Sequence, residues 1–210
     1  MAKINTSTII IAMLIVIVVG LLIVNGSKNK INVPAVDERG HPIAANSSAA
    51  LLENFKNKPA PEFALADKDG KIYSLNELRG KNVILFFNEG LMCYPACWDQ
   101  IVAFAKDERF NNADTIVLSV VVDPPEEWQK AVEQMPELGE ATVIFDKNAA
   151  VSKRFGMLTT ASSMHYGSLP GHTYVLINKE GIIKHIFDDP NMSIHNNQLV
   201  LELEKLSQNQ

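Results

Sequence analysis

The sequence predicts an α/β fold, a mixed sheet covered by helices on both faces. Three observations carry this expectation. Two apolar, β-prone runs too short to be helices, Val83–Phe87 and Thr115–Val122, read as buried strands. Each is followed by helical spacing: Trp98, Ile101, Val102 and Ala105 after the first, and Trp128, Ala131 and Val132 after the second. Near the C-terminus, His172–Ile177 and Ile182–Phe187 flank Asn178-Lys179-Glu180-Gly181, a hairpin signal, and Leu199–Leu206 gives a closing amphipathic helix. Strands alternating with helices, then a hairpin and a helix, build a sheet buried on both sides.

In chain order, Ile4 to Ser27 carries no charge, and Ile9 to Val24 is almost wholly aliphatic. About 20 apolar residues cross a bilayer, so 1–27 reads as a retained N-terminal membrane anchor. A cleaved signal peptide would need a small-residue processing site, and none follows directly. Lys3 on one side and Lys28 and Lys30 on the other nearly cancel as orientation signals. Residues 28–57 mix Gly, Ser, Asn, Pro and charges without a sustained period and read as a flexible tether. Ser48–Phe55 is a short helix candidate within it. The folded domain is expected over 58–210. It opens with strand, Asp-x-x-Gly turn, strand and a short helical turn before the central strand. Ala141–Phe145 adds a short strand, and Ala149–Phe155 a short helix closed by Gly156.

The chemistry concentrates between the central strand and its helix. Both cysteines of the 210-residue chain, Cys93 and Cys97, lie there. A pair at i and i+4 in a first helical turn shares one face, with Cα atoms roughly 6 Å apart, within disulfide range. Partial positive charge at the helix N-terminus stabilises a thiolate. Pro95 is tolerated there because first-turn N–H groups have no helical partner to lose. The plain alternative is a pair of structural cysteines, yet closing so short a loop removes little chain entropy. A redox or metal-binding role is therefore expected. A dithiol pair on a membrane tether suits an oxidising compartment, which puts the domain outside the cytoplasm. The formal net charge of −5 and the lack of a basic cluster exclude nucleic acid. With two cysteines in all, there is neither a disulfide scaffold nor a Cys-rich zinc site.

Several residues carry the resemblance to a known family: Pro59-Ala-Pro-Glu-Phe63, the Asp69-Gly-Lys71 turn with Leu75, Arg79-Gly-Lys81, the Cys93–Cys97 motif, and Gly171-His-Thr-Tyr-Val-Leu-Ile177 with Gly181. From Lys58 onward the chain resembles the redoxin branch of the thioredoxin fold. That branch holds the alkyl hydroperoxide reductase/thiol-specific antioxidant proteins and membrane-anchored disulfide reductases. The resemblance implies a thiol–disulfide oxidoreductase, with Cys93 as the more exposed, attacking thiolate and Cys97 as the resolving one. No cofactor beyond the disulfide is then needed, and the partners are protein thiols and disulfides. Trp98 is a platform beside the disulfide or ordinary core. Glu89 is a candidate proton acceptor for Cys97. Pro170 stands two residues before the position of the cis-proline in Cys-x-x-Cys reductases.

Two further family readings stay open. Peroxiredoxins carry Thr or Ser three residues before the peroxidatic cysteine and an activating Arg before the late strand. Here Tyr94 precedes Cys97 by three and His172 holds the Arg position. A thiol peroxidase thus lacks its polarising groups. The chain is also similar to the Sco proteins, copper carriers with Cys-x-x-x-Cys and a His at the start of that strand. This resemblance implies copper held by Cys93, Cys97 and His172, although Tyr94 and Trp98 stand where Sco motifs have Pro. Met164 and His165 are soft donors in a Ser-rich loop, and Asp188 and Asp189 read as a turn before Pro190.

Overall fold

The computed structural model describes residues 46–110 and 112–208. The expected anchor and residues 28–45 of the expected tether lie outside them. Among the described residues no helix is long and apolar enough to cross a membrane.

The elements run α1 (Asn46–Glu53), β1 (Ala64–Ala66), β2 (Ile72–Ser74), β3 (Asn82–Phe87), α2 (Ala96–Lys106), β4 (Thr115–Val121), α3 (Pro125–Gln134), β5 (Val143–Phe145), α4 (Ala150–Arg154), β6 (Thr173–Ile177), β7 (Ile183–Asp188) and α5 (Asn196–Gln208). β1 and β2 form a separate antiparallel hairpin, and the other strands make one mixed sheet ordered β5-β4-β3-β6-β7. β3 pairs in parallel with β4 and antiparallel with β6. β6 turns back antiparallel to β7, with a register shift at Leu176/Ile177.

β3 is continuously apolar because it is central and covered on both faces. Its side chains alternate, and so do its partners. Val83, Leu85 and Phe87 face one core with Phe63, Leu75, Val175 and Phe155. Ile84 and Phe86 face the other with Trp98, Ile101 and Phe104 of α2, Trp128 of α3 and Tyr174 of β6. The register sets Phe86 opposite Tyr174, and their rings stack with centroids 4.8 Å apart.

Two expectations need correction. Leu52 is buried and Phe55 packs against the same core, while the Asn57 N–H donates to the Ile183 carbonyl. The packed body therefore begins upstream of residue 58, because an amphipathic turn in the polar segment finds a core to cover. The first turn of α2 does not contain both cysteines either. Cys93 ends a separate 3-10 turn, Gly90–Cys93, and α2 starts at Ala96 after Pro95. The Tyr94–Pro95 peptide is cis.

Candidate functional site

Cys93 and Cys97 form a disulfide with a Cα separation of 5.4 Å, close to the spacing expected. Cys97, the second residue of α2, sits among N–H groups that no side chain caps. The turn carrying Cys93 is fixed by its neighbours. Gly90 has φ +58, and a Cβ there would fall 1.7 Å from Asp123 Oδ2. That Asp123 oxygen accepts the Leu91 N–H at 3.2 Å, and burial raises the carboxyl's pKa. Trp98 donates Nε1–H to the Gly90 carbonyl at 3.1 Å and meets Tyr94 and Trp128 edge-on. Trp98 is thus a buried brace between helix and turn.

The sulfurs are closed from solvent, Cys93 at 3% exposure and Cys97 at 0%. Cys93 is the more exposed of the two by this small margin, yet both are buried in the oxidised state. The loop after β7 brings Met192 over the motif, its Sδ 3.9 Å from Cys93 Sγ. Asp189 shapes that loop by accepting the Asn191 and Ser193 N–H groups and bonding His195 Nε2 at 2.7 Å. Burial pushes the Asp189 carboxyl up, but these bonds outweigh it and the pKa is lowered. Asp189 therefore does more than terminate a strand. Asp188 likewise bonds Ser162 and Thr173.

His172, which immediately precedes β6, approaches the other sulfur. Its Nδ1 lies 3.4 Å from Cys97 Sγ, and its Nε2 is 2.7 Å from the Tyr174 hydroxyl. The ring is 1% exposed and packs edge-on against Phe86. Burial dominates its ionisation and pulls the pKa down to about 4, against opposing pulls from Asp189 and a hydrogen bond to the Ser193 backbone, so the ring is neutral at pH 7. Tyr174 reaches Gln100 Oε1 at 2.9 Å and the Ser193 carbonyl at 3.2 Å. Burial holds its phenol firmly protonated.

Glu89 is 1% exposed, not a solvated loop carboxylate. Its Oε1 accepts the Met164 and His165 N–H groups at 2.6 and 2.9 Å and the Ser163 hydroxyl at 3.3 Å. Its Oε2 takes His165 Nδ1 at 2.9 Å. The carboxylate thus holds the 163–165 loop, and His165 is committed to it. Pro170 is buried beside Gly171, where a Cβ would meet Ser162 Oγ and Thr160 Oγ1 at 2.2 Å. The Pro170 peptide is trans, unlike the reductase cis-proline.

Sequence reasoning found Cys93, Cys97 and His172 and missed Tyr174, Gln100 and Met192. Gln100 lies three residues after Cys97 on α2, the spacing of helical neighbours, so its side of the helix was readable. Met192 carried no local signal, because only the path of the loop after β7 brings it to the motif.

Residues 57–186 match the AhpC/TSA family. The chain belongs to that family. It is 31% identical over 144 residues to Peroxiredoxin Bcp of Escherichia coli (strain K12), covering 65% of this chain and 86% of the relative. In fold it is similar to the reduced 2-Cys peroxiredoxin of Plasmodium vivax, with a TM-score of 0.62, 20% identity, and coverage of 73% of this chain and 82% of that one. A putative protein disulfide isomerase from Bacteroides thetaiotaomicron matches with a TM-score of 0.54 and 22% identity, over 71% of this chain and 88% of that one. The domain is thus an AhpC/TSA redoxin with a thioredoxin-like fold and a cysteine pair at the end of its central strand.

At the positions where the peroxiredoxin resemblance implies Thr or Ser and Arg, this chain carries other residues. Gly90 and Tyr94 stand three residues before the two cysteines. The described arginines bond elsewhere: Arg79 to the Glu180 carbonyl, Arg109 to Asp107 and Arg154 to the Glu62 carbonyl. Among the described residues, Cys93, Cys97 and His172 are also the one cluster that could hold a metal ion, their donor atoms within 4.8 Å of one another. Two sulfurs and an imidazole are a soft donor set, available only once the disulfide is reduced.

Proposed function

We propose that this AhpC/TSA domain is a thiol–disulfide oxidoreductase working through Cys93 and Cys97. The observation that carries the reading is the closed Cys93–Cys97 disulfide with a neutral imidazole nitrogen 3.4 Å from the Cys97 sulfur. In the reduced protein, the Cys93 thiolate attacks a substrate disulfide, forming a mixed disulfide and releasing one substrate thiolate. Cys97 then attacks Cys93 Sγ, the Cys93–substrate bond breaks, and the second substrate thiolate leaves. Two cysteine thiols are oxidised to one disulfide while the substrate disulfide is reduced to two thiols. The reverse sequence oxidises substrates.

Access to the buried sulfurs requires the rim to yield. Met92 and Tyr94 beside Cys93, Met164 and Tyr166 on the Glu89-held loop, and Ile194 beside Met192 are all exposed large apolar side chains. Exposed apolar side chains flanking the motif, Met92 and Tyr94 above all, suit an unfolded or extended protein chain better than a small polar oxidant. The uncharged run from Ile4 to Ser27 is long enough to anchor the chain in a membrane, with the domain on the extracytoplasmic side, where thiol exchange is the prevailing redox chemistry.

Two rival readings each have a specific observation behind them. The peroxiredoxin name of the 31% identical relative favours peroxide reduction, and the replaced hydroxyl and guanidinium positions count against it. The compact Cys93, Cys97 and His172 donor set favours copper carriage. A trapping experiment tests the first choice. Reduced Cys97→Ser protein, incubated with glutathione disulfide, should accumulate glutathione on Cys93, whereas the wild type should pass on to its internal disulfide. Absence of any adduct in both Cys97→Ser and Cys93→Ser would remove the exchange reading.

A further inference from the structure

The Tyr174 hydroxyl has three polar neighbours, and their chemistry fixes where its hydrogen goes. The Ser193 carbonyl oxygen, 3.2 Å away, accepts only. The oxygen of Gln100, 2.9 Å away, also accepts only, and the orientation of its amide is set by backbone groups. Gln100 Oε1 takes the His195 backbone N–H at 2.8 Å, and Gln100 Nε2 donates to Asn196 Oδ1 at 2.9 Å. Asn196 is oriented in turn, because its Nδ2 donates to the Ala103 carbonyl and to Asp107 Oδ2, both at 2.9 Å. A flip of either amide would set donor against donor.

A hydroxyl owns one hydrogen: given to His172 Nε2, it would leave the phenol oxygen facing two acceptor oxygens at 2.9 and 3.2 Å with no hydrogen between them, so Tyr174 gives it to one of those two. Its third neighbour, His172 Nε2 at 2.7 Å, makes a hydrogen bond only by donating. A neutral imidazole with hydrogen on Nε2 has none on Nδ1. We propose that Tyr174, oriented by Gln100, locks His172 as the Nε2–H tautomer and thereby aims the Nδ1 lone pair at Cys97 Sγ. Tyr174 and Gln100 are positioning residues, and neither touches sulfur.

The consequence for exchange rests on the function proposed above, whereas the tautomer does not. In the reduced protein the Cys97 S–H donates to Nδ1. When Cys97 attacks Cys93 Sγ in a mixed disulfide, that proton passes to Nδ1 as the Cys93–Cys97 bond forms. The Cys93–substrate bond breaks, and the departing thiolate takes the proton back from the imidazolium. Atoms and charge balance with no further reactant. The opposite tautomer would place an N–H against the thiol and leave it no acceptor.

The test is nuclear magnetic resonance of the oxidised domain with 15N-labelled histidine, reading two-bond 1H–15N correlations of the His172 ring. A protonated Nε2 and a bare Nδ1 are expected. A protonated Nδ1, or averaging between the two forms, would overturn the proposal with no variant needed. In Tyr174→Phe the Nε2–H loses its partner at 2.7 Å and keeps only the Ser193 carbonyl, so the single tautomer should give way to a mixture. Closure of the Cys93–glutathione mixed disulfide should then slow by about tenfold. An unchanged tautomer in Tyr174→Phe would also overturn it. If the wild type shows the expected tautomer but exchanges no disulfide, the lock stands and the exchange function fails.

Discussion

Cys97 Sγ and His172 Nδ1 face each other across 3.4 Å in a space closed to water, one from the start of α2 and the other from the residue before β6. The antiparallel pairing of β3 with β6 makes this meeting possible. Phe87, which ends β3, pairs with Thr173, so the residue beyond each strand end lies at the same edge of the sheet. Replacing His172 with Ala removes the acceptor and leaves the disulfide-forming geometry of the cysteines. Closure of a mixed disulfide should slow by about tenfold or more without being abolished, as read by quenched-flow alkylation. An unchanged rate would mean that the Cys97 proton leaves by another route.

The same histidine gives the domain a defined pH response. Its pKa is about 4 in the folded protein against 6.5 as an unperturbed side chain, with burial as the principal cause. Between those values the unfolded ring binds a proton that the folded ring does not. Stability should therefore be present above pH 6.5 and be lost as pH falls towards 4, by about 3 kcal/mol in all at about 1.36 kcal/mol per pH unit. Urea titrations of oxidised wild type and His172→Gln across that window should show the slope in the wild type and a flatter profile in the variant. Parallel profiles would contradict a neutral, buried His172.

Glu89 offers a separate check, since it serves the loop and makes no hydrogen bond to sulfur in the oxidised state. Glu89→Ala strands the Met164 and His165 N–H groups, which should cost about 2–4 kcal/mol in denaturant unfolding. A stable variant with a large loss of exchange rate would instead return Glu89 to the role of proton acceptor for Cys97.

Cys93 lies nearer the exposed rim of Met92 and Tyr94, while Cys97 lies beneath it against His172. In the reduced domain, iodoacetamide should label Cys93 before Cys97, and peptide mass analysis over time reads the order. Replacing Met192 by Ala removes the thioether over Cys93 and should raise its labelling rate several-fold. Preferential labelling of Cys97 would reverse the assigned roles.

Much of the fold was legible because its signals are local. The continuous apolar run of β3 announces a strand buried on both faces, and Asn178 to Gly181 marks the β6–β7 hairpin, where Asn178 Oδ1 accepts the Ile182 N–H. The cysteine pair and His172 were legible as chemistry. The seal over the disulfide was not, since Met192 comes from a chain segment remote from Cys93 and its loop depends on an Asp189–His195 bond with no sequence pattern of its own. Nor was the polarity of the Tyr174 network, which rests on two backbone groups, the His195 N–H and the Ala103 carbonyl. The position of Leu52 in the core was hidden for a related reason: apart from Phe55, the apolar residues of that core lie downstream of the segment read as tether.

The most direct measurement is a comparison of oxidants on one sample of reduced protein. Loss of the Cys93 and Cys97 thiols is followed by stopped flow against glutathione disulfide, a disulfide-bearing peptide and hydrogen peroxide, with second-order rate constants taken for each. A thiol–disulfide oxidoreductase lacking a polarised peroxide site should react faster with the peptide disulfide than with hydrogen peroxide, ending in the Cys93–Cys97 disulfide. A rate constant for hydrogen peroxide orders of magnitude above that for the disulfides would contradict this and make the domain a peroxidase.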